Sequence, residues 1–383
     1  MQIYLDNNAT TPLDSRVLEA MMPYLTSEYG NASSSHSFGS AAGAAVDLAR
    51  EELAQAIGAA PGEIVFVSGA TEADNTALLG CLRPGERLVT AATEHEAILE
   101  PARYAESAGA GLTVLPVDEY GRVSPDALRE ALSEDPPVAL VSIMLANNET
   151  GTINPVRALA GISREFGVPF HTDAAQALGK IPVDVDELGA DLVSLSSHKL
   201  YGPKGVGALY VRRRLRPGVG RVRPEALVRG GGQERGLRSG TLNVPGIVGL
   251  GRAATLAADA LPEESERVAA LRDELHRLIL REIPGARLNG HPDERLPNTL
   301  NISLPGIRSD ALLAAAPAVA ASAGAACASE SPEPSHVLRA MGVDEETALS
   351  AVRLSLGRFT TGEDVERAAQ ALVRAIRSRA EAV

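Results

Sequence analysis

The sequence predicts an α/β fold: a large domain on a mainly parallel sheet flanked by helices, then a smaller C-terminal α/β domain. Three observations carry this. Short apolar runs alternate with helix-like segments over most of the first 250 residues, and such alternation makes a parallel sheet covered on both faces. After Gly246 the texture changes to one long helical stretch followed by shorter strands. The length, 383 residues, exceeds what a single core usually accommodates.

In chain order, strands are read at "EIVFVS" (63–68), "RLVTAAT" (87–93), "LTVLPV" (112–117), "VALVSIMLA" (138–146), "VPFHTD" (168–173) and "DLVSLS" (191–196), with "GVGALYVRR" (205–213) adding one more. Helical patterns lie between them in "TEADNTALLGCL", "SPDALREALSE" and "PVRALAGISREFG". The last opens near Pro155 and closes at Gly167, a start and stop pair. A helical stretch over 247–282 is expected to be interrupted near Pro262, before strands at "NTLNISL" (298–304) and "SAVRLSL" (350–356). The expected division is an N-terminal segment, 1–15, associated with the small domain, a large domain, 16–255, and a small domain, 256–383.

Hydrophobic content of 45% and charged content of 22% describe a globular chain rather than a disordered one. A net charge of −13 argues against a nonspecific nucleic-acid binder. The arginine-rich stretch "VRRRLRPGVGRVRP" (211–224) is read as a solvated surface loop. Two cysteines far apart, Cys81 and Cys327, exclude a disulfide scaffold and a cysteine-based zinc site. The start, "MQIYLDNNATT", has neither the basic nor the apolar region of a secretory signal, and no run of eighteen apolar residues is seen. A cytoplasmic protein without membrane association is the expectation.

Ligands of open α/β sheets sit at the carboxyl ends of the strands. Beyond those ends come "SGATEADN", "TEHEAIL", "ANNETGT", "HTDAAQ" and "SSHKLYGPKG", which bring Asp, His, Asn, Gln, Ser, Thr and Lys to one crevice. No glycine fingerprint follows the first strand, no P-loop occurs, and the histidines lack zinc-site spacing, so no metal is expected. "SGATE" runs from a strand into a helix start, a phosphate cup with exposed backbone N–H groups. With Lys199 at one strand end and Asp173 at another, these are the parts of a pyridoxal-phosphate site. Lys199 forms the Schiff base, Asp173 keeps the pyridine nitrogen protonated, and His95 stacks on the ring or moves protons.

The motifs "YLDNNATTP", "SGATEADN", "TEHEAIL", "NNETGTINP", "DAAQALGKIPVD", "SSHKLYGPKG", "GGGQERGLRSGTLN", "AGAAC" and "RLSLGRFTT" occur in this order from residue 4 to residue 361. Together they resemble the cysteine desulfurases, class V aminotransferase-like, fold-type I pyridoxal-phosphate enzymes. The short segment around the second cysteine is similar to the group that supplies iron–sulfur cluster assembly. The resemblance implies pyridoxal 5'-phosphate held on Lys199, with Asp173 at the ring nitrogen, Gln176 at the ring hydroxyl and His95 stacked on the ring. It implies a phosphate held by Ala70 (backbone), Thr71, Ser196, Ser197 (backbone) and His198, with Thr241 supplied by the neighbouring subunit of a homodimer. Asn148 would bridge ring and substrate, while Asn147 fixes the turn. Arg353 would grip the substrate carboxylate. His171 is expected to be a packed, satisfied histidine.

Cys327, in "SAGAACASESPEPSH", stands where the resemblance places the nucleophile that takes sulfur from L-cysteine as a persulfide, leaving L-alanine. A sulfur acceptor such as an iron–sulfur scaffold would follow. Cys81 is expected to be inert and buried on a helix. Ala325 replaces the serine usual two residues before the cysteine, which removes one hydroxyl from the thiolate's surroundings. Other readings are a selenocysteine lyase or small-amino-acid transaminase of the same fold, and a non-catalytic sulfur-assembly binding protein.

Overall fold

The computed structural model describes residues 2–323 and 334–380, the side chains of 379 and 380 excepted. Its strands are β1 (Ile3–Tyr4), β2 (Ile64–Val67), β3 (Arg87–Ala91), β4 (Gly111–Leu115), β5 (Val138–Ser142), β6 (Phe170–Asp173), β7 (Leu192–Ser196), β8 (Gly207–Val211), β9 (Arg287–Asn289), β10 (Thr299–Ser303), β11 (Val319–Ala320) and β12 (Ala351–Ser355). Seven form the central sheet in the order β2-β8-β7-β6-β5-β3-β4. β8 runs antiparallel to both its neighbours, and the other strands run parallel to one another. These are the strands read from apolar runs. β2, β3, β6, β7 and β8 are buried along their whole length because helices cover both faces, so no alternation of apolar and polar residues marks them, whereas the edge strand β4 buries only Leu115.

A second sheet, β12-β10-β9, and the pair β1-β11 belong to the C-terminal part. Their core joins Leu300, Ile302, Val352 and Leu354 to Val365 and Leu372 of the final helix, and it also takes in Ile3 and Leu5 from the N-terminus. β1, β9 and β11 are too short, at two or three residues, to leave a readable period.

One helix, Val244–Glu282, runs through both cores. Ile247, Leu250 and Ala254 pack in the large core, whereas Val268, Leu275 and Ile279 pack in the small one. The interruption expected at Pro262 does not occur. Pro262 is exposed, in a stretch (258–267) that buries no residue, so solvent can serve the carbonyl that loses its N–H partner. Among the described residues this helix alone is long and apolar enough to cross a membrane, and most of its apolar window is buried inside the protein.

β2 is an edge strand, whose outward peptide groups need covering. Glu234 accepts the Phe66 N–H at 2.8 Å and both arms of the Arg50 guanidinium at 2.9 and 2.7 Å, while Arg50 also donates to the Ile64 carbonyl at 2.9 Å. Glu234 and Arg235 hold left-handed backbone, φ 48° and 59°, a conformation costing roughly 1–2 kcal/mol for a side-chain-bearing residue. The clamp offsets that cost. The arginine-rich stretch is likewise less solvated than expected. Arg212 is buried and bonds Asp186 at 2.8 Å, and Arg216 meets Asp191 at 3.1 Å, while Arg213, Arg214, Arg221 and Arg223 are exposed.

Glu234→Ala strips Arg50 of its carboxylate and the Phe66 N–H of its acceptor. We expect the unfolding free energy to fall by about 3 kcal/mol or more, measured by urea denaturation with circular dichroism. A change below about 1 kcal/mol, the worth of an exposed pair, would contradict the clamp.

Candidate active site

A cavity of about 510 Å³ opens at the carboxyl ends of β2, β5, β6 and β7. Its lining includes Ala70, Thr71, His95, Asn148, Asp173, Gln176, Ser196, His198, Lys199 and Arg353, residues the sequence had singled out from six separate motifs.

At one end the helix Ala70–Cys81 begins after Gly69, which offers its first N–H groups no side-chain acceptor. The Ser196 hydroxyl faces the same space and is buried with no hydrogen-bond partner among the described residues. His198 lies beside Thr10, Nδ1 to Oγ1 3.2 Å, and burial, then the nearby Lys199, Lys204 and Lys180, pushes its ring down to about 4. One expectation differs here. Ser197 is outside the lining, and its N–H is already donated to the Val206 carbonyl at 3.2 Å, because the chain turns there to start β8. Thr241, expected to serve the neighbouring subunit's site, is exposed and outside this chain's lining.

In the middle, Asp173 ends β6 with Oδ1 accepting the Ala175 N–H at 2.8 Å, and burial raises its carboxyl. His95 caps the helix Glu96–Ser107 by accepting the Ala97 N–H on Nδ1 at 3.0 Å, so the neutral ring carries its proton on Nε2. Burial lowers its affinity for a second proton. His171 is a satisfied core residue, with Ser142 at 2.8 Å and Ser194 at 2.9 Å on its two nitrogens. The Asn147 carboxamide oxygen accepts the N–H groups of Glu149 and Thr150, which holds the turn.

At the other end Arg353 is 1% exposed on β12. Its guanidinium reaches Asp6 at 2.8 Å, Ser322 at 3.1 Å and the Asn148 carbonyl at 3.1 Å, and its Nε has no partner among the described residues. The fork expected for a substrate carboxylate is thus part-filled by Asp6.

Lys199 follows β7 in a short turn, and its ammonium donates to the carbonyls of Asn8 and, at 2.9 Å, Ala9. Asn8 was missed as a site residue. It also receives Gln176 on its carbonyl at 2.9 Å and Lys180 on Oδ1 at 3.3 Å. The buried acids Asp74, Glu94 and Glu149 were missed too, each with its carboxyl raised first by burial. Asp74 and Glu149 line the cavity. A signal existed in the acidic residues of "TEADN", "TEHE" and "NNET", each directly beyond a strand.

The residues fit a phosphorylated, nitrogen-bearing ring and a carboxylated substrate: a helix start and an unpartnered serine, a buried acid, an amine, and an unpartnered arginine nitrogen share one cavity. Cys327 and Ala325 lie outside the described residues. Cys81 ends the helix Ala70–Cys81 half-buried rather than fully buried, and burial pushes its thiol up to about 12.

Because the folded His198 ring sits below its ordinary 6.5, the unfolded chain takes up the proton first as pH falls. The stability this ring contributes is therefore lost on acidification through the window between the two values. In an NMR titration of the cofactor-free protein, its signal should move near about 4 and stay still near 6.5. An inflection near 6.5 would contradict this geometry.

The family model for class-V aminotransferases matches residues 3–368. A cysteine desulfurase IscS of Anaeromyxobacter dehalogenans is 51% identical over 369 residues, 95% of this chain and 90% of that protein. A cysteine desulfurase of Mus musculus is 46% identical over 373 residues, 96% of this chain and 80% of its own length. A solved structure titled as a NifS-like protein superposes with a TM-score of 0.89 at 38% identity, covering 98% of this chain and all of that one. With the lysine, the buried acid and the helix start gathered in one cavity, the chain belongs to the aminotransferase class-V family, among its pyridoxal-phosphate-dependent cysteine desulfurases.

Proposed function

We propose that this chain converts L-cysteine to L-alanine, taking the sulfur onto Cys327 as a persulfide and passing it on for iron–sulfur cluster assembly and other thiolation. The observation that carries the reading is the Lys199 amine in the same cavity as Asp173 and the start of the helix Ala70–Cys81. Pyridoxal 5'-phosphate, when bound through Lys199, supplies an electron sink for the substrate's α-carbon. Thr71, Ala70, Ser196 and His198 hold its phosphate, Asp173 its ring nitrogen and Gln176 its ring hydroxyl. His95 covers the ring and carries a proton on Nε2. Arg353 and Asn148 orient the substrate carboxylate.

The Cys327 thiolate then attacks the substrate sulfur. An S–S bond forms, the carbon–sulfur bond breaks with its electron pair left on carbon, and a proton on that carbon completes alanine. The enzyme works as a homodimer in which Thr241 completes the neighbour's phosphate site, in a cytoplasmic setting. A sulfur-acceptor protein such as an iron–sulfur scaffold discharges the persulfide.

After brief exposure to L-cysteine, mass spectrometry of the digested protein should find one added sulfur on the Cys327 peptide and none on Cys81, whose thiol stays protonated near neutrality. Cys327→Ser should bind cofactor and cysteine and release almost no alanine. Turnover in Cys327→Ser, which a transaminase would retain, or sulfur on Cys81, would overturn the reading.

A further inference from the structure

The phosphate end of the cavity contains a carboxylate that the proposed chemistry does not need. Glu72, in the first turn of the helix Ala70–Cys81, lines the same space as Ala70 and Thr71. An anion there competes with a phosphate for the positive helix end. Its two oxygens are both engaged. Oε2 accepts the Ser68 N–H at 2.8 Å, and Oε1 accepts Arg238 Nε at 3.0 Å. The pair is mostly buried, with side-chain exposures of 26% for Arg238 and 14% for Glu72. Burial alone would raise the Glu72 carboxyl, but the Arg238 and Ser68 bonds more than offset that, so it remains an anion below its ordinary range.

Arg238 is itself held in place. Its segment is fastened to the sheet edge by Glu234, and Ser239 donates its N–H to the Val228 carbonyl at 3.0 Å. Gln233 accepts the Gly240 N–H at 2.9 Å. The guanidinium therefore reaches Glu72 from a fixed backbone rather than from a loose loop.

We propose that Arg238 is a positioning residue for the cofactor phosphate: by engaging Glu72 it cancels that carboxylate's charge beside the helix start. This rests on the reading that places the phosphate at Ala70 and Thr71. It assigns a role to two residues that make none of the expected phosphate contacts.

The test compares binding of pyridoxal phosphate with binding of pyridoxal, which lacks the phosphate, to protein stripped of cofactor. Arg238→Met should weaken pyridoxal phosphate about tenfold and leave pyridoxal unchanged. Adding Glu72→Gln to Arg238→Met should restore affinity, because the offending charge is gone, whereas a merely structural loss would not be repaired. Glu72→Gln alone should bind pyridoxal phosphate at least as tightly as the unaltered protein, which keeps the idea testable if Arg238→Met does not fold. Equal weakening toward both ligands, failure of the double variant to recover, or loss of affinity in Glu72→Gln would overturn the proposal. Thr71→Val separates the two levels. If it leaves pyridoxal phosphate binding unchanged, the phosphate placement fails and the proposal with it. If it weakens that ligand alone while Arg238→Met does not, only the role of Arg238 is overturned.

Discussion

A buried asparagine must have its polar groups bonded, and Asn8, 1% exposed, meets that demand across both cores. Its carbonyl takes the Lys199 ammonium and the Gln176 amide, and its Oδ1 takes Lys180 at 3.3 Å and Asn298 at 3.0 Å. Its amide donates to the Asn148 carbonyl at 3.1 Å and the Thr299 hydroxyl at 2.9 Å, and its N–H reaches the Ser355 hydroxyl at 2.9 Å. The strand ends that supply Lys199, Gln176 and Asn148 are thereby registered against β10 and β12, the latter carrying Arg353. The Lys199 amine and the Arg353 guanidinium keep their separation because one residue ties both sides.

That tie also sets the electrostatics. Lys180, bonded to the Gln176 carboxamide oxygen at 2.7 Å and to Asn8, has its amine lowered well below the usual range, first by burial and then by Lys199 and Arg353. Around the β6 end the acids are raised instead: Asp173, Asp74 and Glu94 share a region where burial disfavours every charge and the carboxylates repel one another. A cationic ring nitrogen brought to Asp173 would find there an acid with few competing partners. The polar groups left unpartnered, Ser196 Oγ and Arg353 Nε among them, lie where anionic ends of cofactor and substrate are expected. Desolvated and pre-placed, they exchange little water for ligand on binding.

Much of this was legible because strand ends deliver site residues in a known place. Lys199, Asp173 and His95 each stand at or just beyond an apolar run, and the runs are unmistakable in a sheet buried on both faces. What escaped is pairing at long range. Arg50 and Glu234 are 184 residues apart, and Asn8 and Asn298 are 290 apart, so no local spacing announces either contact. Ser197 differs from expectation in one respect, since its N–H is already donated to the Val206 carbonyl. Pro262 misled because a breaker is costly only where its lost bond cannot be replaced, and it sits on an exposed turn between two cores.

Asn8 holds two amines apart, Lys199 in the cavity lining and Lys180 outside it. Borohydride reduction of the cofactor-bound enzyme followed by peptide mapping tests this directly. Reduced pyridoxal phosphate is predicted on the peptide carrying Lys199 and none on the peptide carrying Lys180. Cofactor fixed to Lys180 would contradict it.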